Sequence, residues 1–200
     1  MSPRATEQID LPPRRRVPAA QRREELIEAA VVEFARGGLH GTPVGDVARR
    51  VGVAQPYVFS LFANKRELFL AAVETGFARV EDTFRAAAAA YERGEAPAEA
   101  DGPLKAMGLA YFEMVRTDRV ALMLQHQSYA ACDDEVVRER VRGLFARLVE
   151  TARELSGAGD EDLDQFIRQG MACNVAAALG VEDLAPGSAW VDAELARGAA

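Results

Sequence analysis

The chain is predicted to be all-α. No segment of its 200 residues keeps a period-two alternation, and successive segments place apolar residues at helical spacing. Gly, Pro and Asp gather between those segments, where helices start and stop. Residues 1–18 stand apart as a disordered arm, because Pro3, Pro12, Pro13 and Pro18 break helix and only Ile9, Leu11 and Val17 could join a core. The first helix is expected over 22–36, with Leu26, Ala30 and Phe34 on one stripe, Ile27 and Val31 beside it, and Gly37-Gly38 as its stop.

Residues 42–69, TPVGDVARRVGVAQPYVFSLFANKRELF, are the most informative part of the chain. Thr42-Pro43 opens a helix, with a hydroxyl to accept an orphan N–H and a ring preset at helical φ. Val44, Val47 and Ala48 form its apolar face, and Gly52 permits a tight turn. Gln55-Pro56 opens a second short helix. Val58, Leu61 and Phe62 face inward from it, while Gln55, Tyr57, Phe59 and Ser60 project outward. Asn64-Lys65-Arg66-Glu67 is a capping box that starts a third helix at Leu68 and Phe69. Two short helices about a glycine turn, over about 44–63, make a helix-turn-helix whose second helix has the form that enters a major groove. The same pair also occurs in all-α proteins that never meet DNA.

A long helix follows over 65–92, carried by Leu68, Phe69, Ala72, Val73, Phe77, Val80, Phe84 and the Ala86–Ala90 run. Such a helix is about 40 Å long, enough to reach a second domain. Residues 93–103 are a polar loop, and four further helices are expected at 104–116, 119–131, 134–155 and 160–180. Asp118, Asp133-Asp134 and Asp160 stand at their starts, where a carboxylate caps and suits the macrodipole.

Composition narrows the function classes. The net charge is −7, yet through Arg66 the chain carries eleven Lys/Arg against seven Asp/Glu, and the remainder carries thirteen against twenty-four. Positive charge therefore gathers where nucleic acid would sit. No apolar run reaches membrane-spanning length, and Arg14-Arg15-Arg16 before Val17-Pro18 does not fit a signal peptide. Cys132 and Cys173 have no motif spacing and suit small buried positions in a reducing, cytoplasmic setting. An enzyme fits poorly. His40 and His126 lie far apart in the chain, the cysteines have no evident base, and no phosphate-binding glycine loop is present. The surviving rival is a helical ligand-binding or adaptor protein with a vestigial DNA unit.

Phe34, Gly41-Thr42, Val47-Ala48, Gly52-Val53, the run Gln55-Pro56-Tyr57-Val58-Phe59, and Phe62-Ala63-Asn64-Lys65 with Leu68 together resemble the tetracycline-repressor (TetR-like) family of bacterial transcription regulators. The resemblance covers 22 to about 80. Three positions depart from it. Ala54 stands where a capping Ser is common, Phe59 where Tyr is usual, and Gly45 where a longer polar residue is more usual.

The resemblance implies a helix-turn-helix DNA-binding domain over 19–66, with a C-terminal helical domain over 67–200 for ligand binding and dimerisation. It implies a homodimeric repressor that a small-molecule effector releases from a palindromic operator in double-stranded DNA. No cofactor or metal is expected, and the location would be the cytoplasm, at the nucleoid. By position, Gln55 and Tyr57 would read base edges and Pro56 would pack on a thymine methyl. Thr42, Ser60 and Lys65 would hold phosphates, Phe59 would either pack against the DNA backbone or seal the three-helix core, and Val44 counts among the DNA-binding residues. Arg14-Arg15-Arg16 is placed either to enter a minor groove or to remain a solvated tail. The effector, apolar or aromatic, would lie among Phe84, Met107, Tyr111, Met114, Leu122, Met123, His126, Tyr129 and Asn174, residues that equally suit an ordinary core. The dimer would pair the last two helices through Leu144, Leu148, Phe166, Ile167, Gly170, Met171 and Asn174, which also suit the interior of a monomer.

Overall fold

The structure, a computed structural model, describes residues 18–180. Expectations for residues 1–17, including the Arg14-Arg15-Arg16 arm, and for 181–200 lie outside the described residues. Among the described residues eight helices follow one another: α1 (Ala19–Gly41), α2 (Val44–Val51), α3 (Gln55–Leu61), α4 (Lys65–Glu92), α5 (Pro103–Thr117), α6 (Arg119–Ala130), α7 (Glu135–Ser156) and α8 (Asp160–Leu179). Among the described residues there is no strand, and no helix is long and apolar enough to cross a membrane.

Local chemistry sets most of the boundaries. Asn64 Oδ1 accepts from the Glu67 N–H at 2.9 Å, and Glu67 Oε2 accepts from the Ala63 N–H at 2.6 Å. The capping box thus forms, with its carboxylate reaching one residue beyond the cap. Asp118 caps α6 through the Ala121 N–H at 2.9 Å, and Asp134 caps α7 through Val136 and Val137.

The Gly37-Gly38 stop forms where it is expected: Gly38 takes φ 62° and ψ −174°, which interrupts the helix, and a short helical segment follows to Gly41 within the span of α1. A Cβ at Gly38 would collide with the Gln127 carboxamide of α6. Two starts differ from expectation. Thr42 does not cap α2; its hydroxyl donates to the Glu33 carbonyl at 3.1 Å, tying the connection back to α1. Asp160 does not cap α8 either, because Gly159 holds that position and the Asp160 carboxylate takes Arg153 at 2.8 Å.

The core is organised around α4. Its first turns bury Leu68, Phe69, Ala72 and Val73 against α1, where the Phe69 ring meets Phe34 edge-on at 5.1 Å. Val47 and Ala48 of α2 and Val58 of α3 complete this three-helix unit. Farther along, Phe77, Val80 and Phe84 pack against α5, α6 and α7, and Phe84 sets its ring edge-on to Tyr111 and Phe166. The two regions form one continuous apolar cluster, and α1 also packs directly on α6.

Phe34 and Phe69 are fully buried and mutually packed, so Phe69→Ala is expected to cost about 3–5 kcal/mol. Urea unfolding should show a lower midpoint with an unchanged m-value.

Candidate nucleic-acid interface

The helix-turn-helix forms because Gly52 adopts a left-handed conformation (φ 72°, ψ 34°) that places its N–H on the carbonyls of Ala48 and Arg49. The Val53 N–H then closes onto Ala48 O at 3.0 Å, and α3 begins two residues later without a side-chain cap at Ala54. Val58 and Phe62 lock α3 down from beneath, and the Arg23 guanidinium of α1 lies 4.6 Å from the Phe62 ring centroid. Everything else on this seven-residue helix except Leu61 is exposed, including two aromatic rings, Tyr57 at 38% and Phe59 at 42%. Pro56 and Ser60 lie at the centre of the outward face, with Gln55 and Phe59 on one flank and Tyr57 on the other, following helical spacing.

The residues assigned to DNA from sequence separate into two groups. Gln55, Pro56, Tyr57, Phe59 and Ser60 share the open face of α3. Val44 corrects the sequence assignment: it is 6% exposed, because the apolar face of α2 that includes Val47 and Ala48 turns inward. Thr42 is also buried, and its hydroxyl proton is given to Glu33, so a phosphate contact at this position falls to the backbone. Ser60 Oγ donates to the Tyr57 carbonyl at 2.7 Å. Lys65 sits at the start of α4, where Nζ donates to His40 O at 3.0 Å and partial burial lowers its pKa. An ammonium has three protons, so two remain for an anion.

Sequence reasoning missed the joint behind this face. Arg66 Nη1 reaches Asp134 Oδ2 at 2.8 Å, linking the start of α4 to the cap of α7. His40 Nε2 lies 3.8 Å from Asp133 on the same corner. These partners are 68 and 93 positions apart in the chain, and no local pattern marks them. Arg49 and Arg50 of α2 were also not singled out; they engage Asp46 and Glu33 at 2.7 and 2.8 Å.

In the C-terminal half, Phe84, Met107, Tyr111 and Asn174 are packed in the interior, with Met114, Met123, His126 and Tyr129 partly covered. The Tyr111 hydroxyl lies 2.6 Å from Asn174 Oδ1 and 3.0 Å from Gln125 Oε1, and Gln125 Nε2 donates to the Tyr129 hydroxyl at 2.8 Å. Burial pushes both tyrosine hydroxyls above their ordinary range, against the opposing effect of these hydrogen bonds. His126 Nδ1 faces the Leu122 carbonyl of its own helix at 3.0 Å. A cavity of about 10 Å³ lies instead between α4, α5 and α6, against Val73, Gly76, Phe77, Val80, Met114, Ala121, Leu124 and Gln125. Of the residues assigned to the effector, only Met114 borders it.

The dimer assignment also needs correction. Leu144 and Leu148 are buried within the chain, because that face of α7 packs on α4, and Asn174 is buried beside Tyr111. Phe166 is half-buried against Phe84, and Gly170 backs onto the Tyr111 ring. Ile167 is half-buried and Met171 exposed. Val175 and Leu179, the latter 67% exposed, were not singled out, yet they continue the same stripe at four-residue steps.

Helix-turn-helix proteins are the class this geometry defines. Residues 26–72 match the family model described as bacterial regulatory proteins, tetR family. Over 59 residues the chain is 36% identical to the HTH-type transcriptional activator FasR of Mycolicibacterium smegmatis, a match that covers 30% of this chain and 27% of FasR. Among solved structures, the fatty acid degradation regulator FadR of Bacillus halodurans has a TM-score of 0.61 at 18% identity, covering 93% of this chain and 97% of that one. FadR of Bacillus subtilis, solved in complex with stearoyl-CoA, has a TM-score of 0.62 at 13% identity, with coverage of 86% and 95%. A TetR-like regulator from Rhodococcus sp. RHA1 has a TM-score of 0.55 at 20% identity, covering 92% and 98%. Residues 26–72 thus resemble the N-terminal domain of the tetR family, the chain spans about a quarter of FasR's length, and the structural likenesses extend the shared fold over nearly all of the chain.

The hydrogen bond from Arg66 is the main cause that holds the Asp134 carboxyl below the ordinary value of 3.8, with the Val137 amide next. A lowered folded-state pKa makes its contribution fully present above about pH 3.8 and lost as pH falls through the folded value. Asp134→Asn retains a capping side chain and removes the charge. Thermal melts between about pH 3 and 7 should show lower stability at neutral pH and a flatter acid limb than the parent.

Proposed function

We propose that the protein is a sequence-specific DNA-binding transcriptional regulator that acts as a homodimer on a palindromic operator. The observation that carries this is the open face of α3: a helix pinned by Val58 and Phe62 that turns two aromatic rings, a proline and a glutamine to solvent. Residues 19–66 serve as the DNA-binding unit. Gln55 pairs with a base edge, Tyr57 and Pro56 pack on thymine methyls, and Lys65 with the backbone near Thr42 positions phosphates. The excess of Lys/Arg through Arg66 supports this placement.

Residues 67–200 serve for dimerisation and effector binding. A second copy covers Ile167, Met171, Val175 and Leu179 of α8 together with the exposed Gly143 and Ala146 of α7, where small side chains let helices approach closely. The effector is apolar. The stearoyl-CoA bound by the Bacillus subtilis relative supports an acyl-type molecule. A space of about 10 Å³ holds roughly one water, so such a ligand must part α4 from α5 and α6. Opening there would expose Tyr111, Met107 and their neighbours as pocket lining. A ligand that prefers one tilt of α4 changes the separation of the two recognition helices, and about 1–3 kcal/mol of coupling is typical for such a device. Release from the operator makes the protein a repressor. The activator FasR supports the second reading, in which the same dimer recruits transcription.

Selection of randomised duplexes by the purified protein, at physiological salt with competitor DNA, should recover a palindrome. Recovery of no motif would sink the proposal of sequence-specific binding. Lys65→Ala should weaken all sequences alike and shallow the salt slope by about one unit; an unchanged slope removes Lys65 from the interface. Val175→Glu should give a monomer in sedimentation velocity, and a persisting dimer would move the interface away from this face of α8.

A further inference from the structure

Gly45, in the first turn of α2, has no backbone reason to be glycine. The described glycines with positive φ are Gly38, Gly52, Gly94, Gly157 and Gly180, so at Gly45 an L-residue fits the backbone. A helical glycine is less stable than alanine, and α2 has only eight residues over which to absorb that loss. The space that glycine leaves is also specific. A Cβ built there would have one neighbour within 4 Å, the Gln55 Oε1 atom, at 3.2 Å. Gln55 is exposed, opens α3, and makes no hydrogen bond among the described residues, so no hydrogen bond among them fixes its carboxamide.

We propose that Gly45 is a specificity-determining position that acts through Gln55. Its missing side chain lets the Gln55 carboxamide lie back over the start of α2, and that sets the angle at which the amide meets a base edge. A carboxamide reads adenine through a donor and an acceptor held together in one plane, so its orientation decides whether both bonds form. A Cβ at position 45 presses on the flexible end of Gln55 at a distance tighter than ordinary packing, and the carboxamide must give by a few tenths of an ångström. Gly45 is therefore a positioning residue that need not touch the DNA. This inference rests on the reading of α3 as a recognition helix.

The test compares the parent chain with Gly45→Ala, Gln55→Ala and the double variant, each in duplex selection and in titration of non-specific duplex. Gly45→Ala should melt no lower than the parent, because alanine favours helix. It should change preference by about tenfold at the same base pairs that Gln55→Ala changes, and at no others. Non-specific affinity should stay unchanged, and the double variant should add nothing to Gln55→Ala. An unaltered motif for Gly45→Ala, or one altered where Gln55→Ala has no effect, overturns the proposal. A parent chain that selects no motif overturns the recognition-helix reading and this inference with it, whereas a parent motif indifferent to Gly45→Ala overturns the inference alone.

Discussion

Helix α4 runs through both regions of one continuous core, and most of the molecule depends on that continuity. Phe69 on its first turns packs edge-on against Phe34 of α1, and Phe84, fifteen positions on, packs edge-on against Phe166 of α8. The helix between them is unbroken and spans about 40 Å in all. Interiors at this packing density transmit displacement and do not absorb it. Gly76 lies midway, where the absent side chain brings Leu124 of α6 to within 3.4 Å of an ideal Cβ. In the proposed reading, a shift of α6 would act on the centre of α4, and both α4 and the α1–α6 contact would carry it to the helix-turn-helix.

The polar joint at the α6–α7 corner works alongside this apolar lever. Asp134 serves two helices at once: one oxygen caps α7 and the other takes Arg66 at the head of α4. Gln127 over the Gly38 bend and His40 beside Asp133 fix the end of α1 to the same corner. Exposed ion pairs contribute little singly. Their importance here is directional, because each one joins the helix-turn-helix unit to the corner between α6 and α7.

The sequence disclosed the helices almost to their ends, because periodicity, caps and glycine stops are local signals. Asn64 with Glu67, Asp118 and Asp134 do in the structure what their positions announced. What the sequence could not disclose is which neighbour each face meets. α7 has one broad apolar face, and nothing local says that Leu144 and Leu148 face α4 of their own chain. Val44 belongs to the apolar face of α2 with Val47 and Ala48, and its burial there is what removes it from the DNA-binding residues. The Arg66–Asp134 pair and the Gln127–Gly38 contact are invisible for a related reason, since both depend on tertiary placement.

The same reasoning explains why pocket and core could not be told apart in the C-terminal half. Of the residues expected at the effector, Phe84, Met107, Tyr111 and Asn174 are interior, and hydrogen bonds link Tyr111 to Asn174 and Gln125, and Gln125 to Tyr129. Burial keeps both tyrosines neutral, so they remain hydrogen-bonding groups and do not become buried charges. A network satisfied in this way stabilises the closed state without a ligand. An effector that opens the interior must replace those hydrogen bonds as well as fill apolar volume, since each polar group left unpaired costs about 1–3 kcal/mol. A purely hydrocarbon molecule cannot do this. In the proposed reading, the effector therefore has an apolar body with at least one polar group, and that group lies toward Gln125, which both borders the cavity and joins the network.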